Sequence, residues 1–166
     1  MEATMPENIF SEPRNAHIPS SWMAKARVVS LEPENEVISY LEAWLLERNI
    51  DPQGCRKFGF DVMISDQERS EGKRGYEYWA EVPETLQGTD TVAVERFEGG
   101  EYISLRIRDP FADPFDRIPR GWQELVKYVR DGHFAADWCT PGSCLEEVVQ
   151  TDEGVCMDIF IRLRLK

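Results

Sequence analysis

The sequence predicts an α+β fold in which two helices lie on one face of an antiparallel sheet. Three observations predict it. The order strand–helix–strand–strand can be read twice, over roughly residues 23–83 and 91–165. The strand segments alternate apolar with polar or small residues, while the helical segments repeat their apolar residues at helical spacing. The length, 166 residues, suits one domain with a real core.

The elements follow in chain order. Residues 1–21 carry Pro6, Pro13 and Pro19 among scattered polar residues without periodicity. A flexible or loosely docked arm is expected there, ahead of one domain over 22–166. Ala24 to Leu31 reads as a strand. Val37, Ile38, Leu41, Trp44 and Leu45 form the stripe of a helix from about Asn35 to Arg48, and Pro33 marks the boundary before it. Phe58, Phe60, Val62 and Ile64 alternate as a half-buried strand. A polar loop, Asp66 to Arg74, leads to Gly75–Val82, an aromatic-rich strand that Pro83 closes.

In the second half, Thr91 to Phe97 and Tyr102 to Arg108 are strand-like, split by Gly99-Gly100. Ile103, Leu105 and Ile107 share one face. A loop, Asp109 to Asp116, follows, and Pro119 suits the first turn of a second helix. Ile118, Trp122, Leu125, Val126 and Val129 make its stripe, and Gly132 stops it. Cys144 to Gln150 is a short strand. Met157 to Leu165 is a long one, with Met157, Ile159, Ile161, Leu163 and Leu165 on the face expected to meet the helices. Phe160, Arg162 and Arg164 lie opposite.

Successive side chains on a strand point to opposite faces. In Gly75–Val82 this sets Tyr76, Tyr78, Ala80 and Val82 toward the core, and Glu77, Trp79 and Glu81 on the other side. A large ring flanked by carboxylates suits an organic cation. In Leu145-Glu146-Glu147-Val148-Val149 the same rule expects Leu145, Glu147 and Val149 at the core and Glu146 on the opposite face, partly enclosed. An enclosed carboxylate requires a cation or donors, so Glu146 is either a structural acceptor paired with Arg162 or Arg164, or a ligand counter-ion.

Several short motifs then fall in one order: Tyr76-Glu77-Tyr78-Trp79 with Val82, Glu98-Gly99-Gly100-Glu101-Tyr102, a helix carrying Gly121-Trp122 and Leu125, Leu145-Glu146, and Asp158-Ile159-Phe160-Ile161-Arg162-Leu163. In order and spacing the chain resembles the gyrase-inhibitor-like (GyrI-like) small-molecule-binding domains, which also serve as effector-binding domains of multidrug-responsive transcription activators. The resemblance covers about residues 23–165. It implies two tandem β-α-β-β (SHS2-type) modules with pseudo-two-fold symmetry and an aromatic-walled cleft between them, with a central acid at Glu146. It also implies a pocket-facing pair at Glu77 and Trp79 and a pocket tyrosine at Tyr102. Ligand contacts are expected from these four residues and from Trp122 and Phe160. The chain departs from the pattern at Val148, where an aromatic is usual, at Glu32-Pro33-Glu34-Asn35, and over Asp109 to Pro114.

Composition narrows the function classes. Acidic residues outnumber basic ones 31 to 19, a net charge of −12, and no stretch is a basic cluster. Direct nucleic-acid binding is therefore not expected, whereas cationic partners are. No run reaches membrane-span length and the start does not read as a signal peptide, so a cytoplasmic protein with reduced thiols is expected. Cys139 and Cys144 are spaced for metal ligation, but the expectation is ordinary thiols, with no metal and no cofactor. No Ser/His/Asp or Cys/His set has recognisable spacing. The leading expectation is a stand-alone effector domain for an aromatic or amphipathic cation, with a DNA-binding regulator or gyrase as protein partner. A small-molecule hydrolase using Glu146 as base with Tyr102 or Tyr78, and a gyrase-inhibitor-like interaction module, are the alternatives.

Overall fold

In the computed structural model the described residues are 8–138 and 140–164. Cys139, Leu165 and the first seven residues of the expected arm lie outside them. In chain order the strands and helices are β1 (Arg14–Ile18), β2 (Ser21–Ser30), α1 (Pro33–Leu46), β3 (Lys57–Val62), α2 (Asp66–Ser70), β4 (Arg74–Val82), β5 (Ala93–Phe97), β6 (Gly100–Arg108), α3 (Pro114–Asp131), β7 (Cys144–Thr151) and β8 (Gly154–Arg162). The fold is α+β, and β-α-β-β occurs twice, as β2-α1-β3-β4 and β6-α3-β7-β8.

The chain divides into two compact units. The first is Pro19–Gly99; the second joins Gly100–Lys166 to the N-terminal Met1–Ile18. In the first unit the antiparallel strands run β3-β4-β2-β5. Helix α1 covers one face, burying Val37, Leu41, Trp44 and Leu45 against Ala24, Ala26, Tyr76, Ala80 and Val82. Three alanines on the sheet, Ala24, Ala26 and Ala80, leave room for the large Trp44 ring of α1, so small faces large across the layer. Each fully buried aliphatic side chain contributes roughly 1.5–3 kcal/mol.

In the second unit the antiparallel order is β1-β6-β8-β7. Leu125 and Val129 of α3 pack on Ile103, Leu105, Ile107, Met157, Ile159 and Ile161. Gly121 permits that approach: a Cβ there would lie 2.4 Å from Ile107 Cδ1. The face predicted for the last strand is the face that meets the helix.

Three expectations need correction. The arm is docked from Ile9 to Ile18: Phe10 bridges Ile107, the Ser11 amide donates to the Arg106 carbonyl, and β1 pairs along β6 with Ala16 opposite Tyr102. Five residues between prolines are too few to show a period, so the strand left no pattern to read. The polar loop holds the short helix α2, opened by a capping box in which Ser65 Oγ accepts from the Glu68 amide and the Glu68 carboxylate accepts from the Ser65 amide. Helix α3 begins at Pro114, so Pro119 sits inside it and is exposed. Water can satisfy the carbonyl that Pro119 leaves unbonded one turn back.

Candidate ligand-binding faces

Each unit has one sheet face that no helix of its own covers, and those two faces hold most of the expected site residues. In the first unit Tyr76 is buried in the core beneath α1 and Tyr78 packs against it, so Glu77 and Trp79 point the other way. Trp79 is 1% exposed. Phe60 and Phe97 each meet its ring edge-to-face with centroids 5.2 Å away, and Phe58, its cross-strand neighbour, is fully buried. The indole N–H of Trp79 donates to Glu77 Oε2 at 2.8 Å. The other oxygen of Glu77 accepts from Arg27, 3.1 Å from Nε and 3.0 Å from a terminal guanidinium nitrogen. The Lys25 ammonium stands 4.0 Å from the Trp79 ring centroid and 3.3 Å from Glu95 Oε2. The aromatic–acid pair expected to greet a cation thus already holds two of the chain's own.

In the second unit the register decides the faces. Glu146 is opposite Ile159 and Cys144 opposite Ile161, both isoleucines of the helix-side core. Glu146 therefore faces α3, where its Oε2 accepts from the Trp122 indole N–H at 2.9 Å. The expected parity of this strand is reversed. Glu147, opposite Asp158, and Leu145, opposite Phe160, occupy the helix-free face. The cause is burial on both sides: Leu145 is fully buried away from the helix, so alternation no longer marks the core side.

That helix-free face is polar and closed. Glu147 is 8% exposed and Asp158 4%. Arg106 donates to both oxygens of Asp158, at 2.7 and 2.9 Å, and Arg14 reaches one of them at 3.6 Å. The fully buried Ser104 hydroxyl, opposite Phe160, has no hydrogen-bond partner among the described residues. Tyr102 and Phe160 meet edge-to-face at 5.9 Å. The Tyr102 hydroxyl donates to the Gly142 carbonyl at 2.6 Å and accepts from Arg162 Nε at 3.2 Å. Burial pushes that hydroxyl up to about 12, with Arg162 partly opposing the shift.

No family model and no curated protein matches the chain. Solved structures do. The C-terminal domain of EcmrR matches with a TM-score of 0.70 at 10% identity, covering 93% of this chain and 98% of that one. Against EcmrR in its complex with DNA the coverage is 95% of this chain but only 59% of EcmrR. A hydrolase from Listeria innocua matches with a TM-score of 0.59 at 12% identity, covering 92% and 91%. SAV2435 bound to tetraphenylphosphonium matches with a TM-score of 0.53 at 11% identity, covering 93% and 94%. The fold is GyrI-like.

Within this GyrI-like fold the expected site residues fall into three local groups. Glu77 and Trp79 touch each other in the first unit. Tyr102 and Phe160 touch in the second. Trp122 and Glu146 touch on the helix side of that same unit. Sequence reasoning missed Lys25, Glu147, Asp158 and Ser104. For Asp158 a signal existed, since it shares the parity of Phe160; for Glu147 it did not. Phe111, Phe134 and Trp138, between the longer elements, and Phe115, in the first turn of α3, are exposed, with Phe134 stacked on Tyr128. Burial raises the Cys144 thiol above its usual range, and among the described residues no three His, Cys, Asp or Glu side chains gather as a metal site. No helix of the described residues is long and apolar enough to cross a membrane.

Proposed function

We propose that this chain is a small-molecule-binding domain that takes an aromatic or amphipathic organic cation, with Glu147 rather than Glu146 as its central acid. One observation carries the proposal: Glu147, 8% exposed, and Glu77, 13% exposed at the side chain, are carboxylates withdrawn from water on helix-free sheet faces. A carboxylate at that depth has lost much of its hydration, so a cation that reaches it meets little competition from water. The likeness to EcmrR's C-terminal domain and to a protein holding tetraphenylphosphonium supports the same class of ligand. The net charge of −12 favours cations over anions in the approach to either face.

Any part in transcription would need DNA contacts from outside the matched region, which spans 59% of the EcmrR chain. A hydrolytic role is less well supported. Tyr102, the hydroxyl such chemistry would recruit, is bonded on both sides and stays protonated at neutral pH.

Titration with tetraphenylphosphonium, followed by tryptophan fluorescence, tests the proposal. Micromolar binding is expected, with Glu147→Gln weakening it about tenfold or more, that is by at least about 1.4 kcal/mol. Glu146→Gln, one residue away but facing α3, should leave the affinity within about twofold, a change of under roughly 0.5 kcal/mol. Equal effects of the two substitutions, or no binding to the wild-type chain, would reject the assignment.

A further inference from the structure

Lys25 lies in β2 directly opposite Trp79 in β4. Its ammonium covers the indole face at 4.0 Å while keeping Glu95 at 3.3 Å. Trp79 is otherwise enclosed: Phe60 and Phe97 pack edge-to-face and Glu77 holds the N–H. The two attractions an incoming cation would use, a ring face and a nearby carboxylate, are both met by a tethered one. We propose that Lys25 is a built-in occupant of the cation seat on Trp79 and sets selectivity by competing with incoming ligands. This rests on the cation-binding role argued above.

The competition has a chemical direction. A tethered group acts at an effective concentration of order millimolar, so a free ligand must bind better than an ammonium to displace it. A primary amine offers the ring what Lys25 already offers, and it keeps a strong hydration shell. A bulky delocalised cation gives up less water and buries more apolar surface. The seat therefore selects large, weakly hydrated cations over primary ammonium ions. The Lys25 side chain is 16% exposed and its pairing partner Glu95 61%, so the outer end of the pair lies toward water and Glu95 can follow the ammonium outward.

The experiment compares the wild-type chain with Lys25→Met, which keeps the stem and removes the charge, and Lys25→Arg, which keeps a cation on the ring. The probes are tetraphenylphosphonium and phenethylammonium. Lys25→Met should bind tetraphenylphosphonium about tenfold tighter than wild type and bring phenethylammonium into measurable range, while Lys25→Arg should gain nothing. In the wild-type chain the Lys25 ε-methylene protons, shifted upfield by the indole ring current, should return toward their free-lysine positions on saturation with tetraphenylphosphonium. If wild type binds but Lys25→Met binds no tighter, or the methylene protons stay upfield at saturation, Lys25 is not the competitor and cation binding survives. If neither chain binds, both the cation role and the Lys25 assignment fall. Should Lys25→Met not fold, the methylene shift and Lys25→Arg decide alone.

Discussion

The two units share a strand–helix–strand–strand order and a helix-covered apolar face, yet their helix-free faces are built from different chemistry. The first is an aromatic layer, Phe58, Phe60, Trp79 and Phe97, dressed by Lys25 and Arg27. The second is organised around buried acids, with Asp158 clamped by Arg106 and Glu147 beside it on the next strand. The covered faces are constrained by the helix above them, so alternation of apolar residues suffices to build them. The helix-free faces carry no such requirement, and there the two halves have diverged. In this fold the helix side specifies the architecture, and the other side is where the proposed ligand contacts lie.

The largest expected effect tests whether the aromatic layer of the first unit is packed as a core. Trp79→Ala removes a fully buried indole and should cost about 4 kcal/mol of unfolding free energy, read from urea denaturation. A loss below about 1.5 kcal/mol would mean that the layer is loosely packed and that the contrast with the second unit is one of composition only.

Next comes the ionic clamp of the second unit. Arg106→Leu leaves the Asp158 carboxylate, 6% exposed at the side chain, with the more distant Arg14 as its remaining cation among the described residues. A loss of about 3 kcal/mol is expected, the lower end of the range for breaking a buried pair because Arg14 remains. The double variant Arg106→Leu with Asp158→Leu should recover much of that loss, since it removes the stranded charge as well. If the double variant is no more stable than the single one, the clamp contributes through packing rather than charge.

Legibility in the sequence followed the same division. Both helices and the apolar faces beneath them could be read, because Val37, Leu41 and Leu45 or Leu125 and Val129 recur at helical spacing and Ile103, Leu105 and Ile107 alternate. The parity of β4 was equally plain, since Tyr76, Tyr78 and Ala80 differ sharply from Glu77. Strand β7 defeated the same rule because Leu145 is buried on the helix-free side. The faces of a strand buried on both sides are set by pairing, here Glu146 with Ile159, and pairing is long-range information. Strand β1 was invisible for a related reason: its contacts lie in β6, more than eighty residues on. Lys25 could be seen in the sequence but not its place over Trp79, which depends on the β2–β4 register.

A smaller effect concerns pH. The Tyr102 hydroxyl titrates near 12 in the folded chain and near 10 when unfolded. Between those values the folded state holds the proton that the unfolded state has lost. The stabilisation from the buried neutral phenol is therefore intact below about pH 10 and falls as pH rises toward 12, by about 2.7 kcal/mol in all. Burial raises Tyr78 in the first unit in the same direction. Tyr102→Phe should flatten the alkaline decline in denaturation midpoint, and an unchanged slope would assign the decline to Tyr78 and the first unit.

The smallest expected effect sharpens the comparison most, because it holds geometry constant. Arg74 grips Glu34 through two hydrogen bonds of 2.6 and 2.9 Å in the first unit, much as Arg106 grips Asp158 at 2.7 and 2.9 Å in the second. The difference is water: the side chains are 53% and 35% exposed in the first pair, 27% and 6% in the second. Hydration competes with the outer pair and salt screens it, so Glu34→Gln should cost under about 1 kcal/mol and less still at high ionic strength. Asp158→Asn strands Arg106 beneath a desolvated amide and should cost at least twice as much, with little dependence on salt. Matched losses for the two substitutions would mean that hydrogen-bond geometry, not burial, governs both pairs.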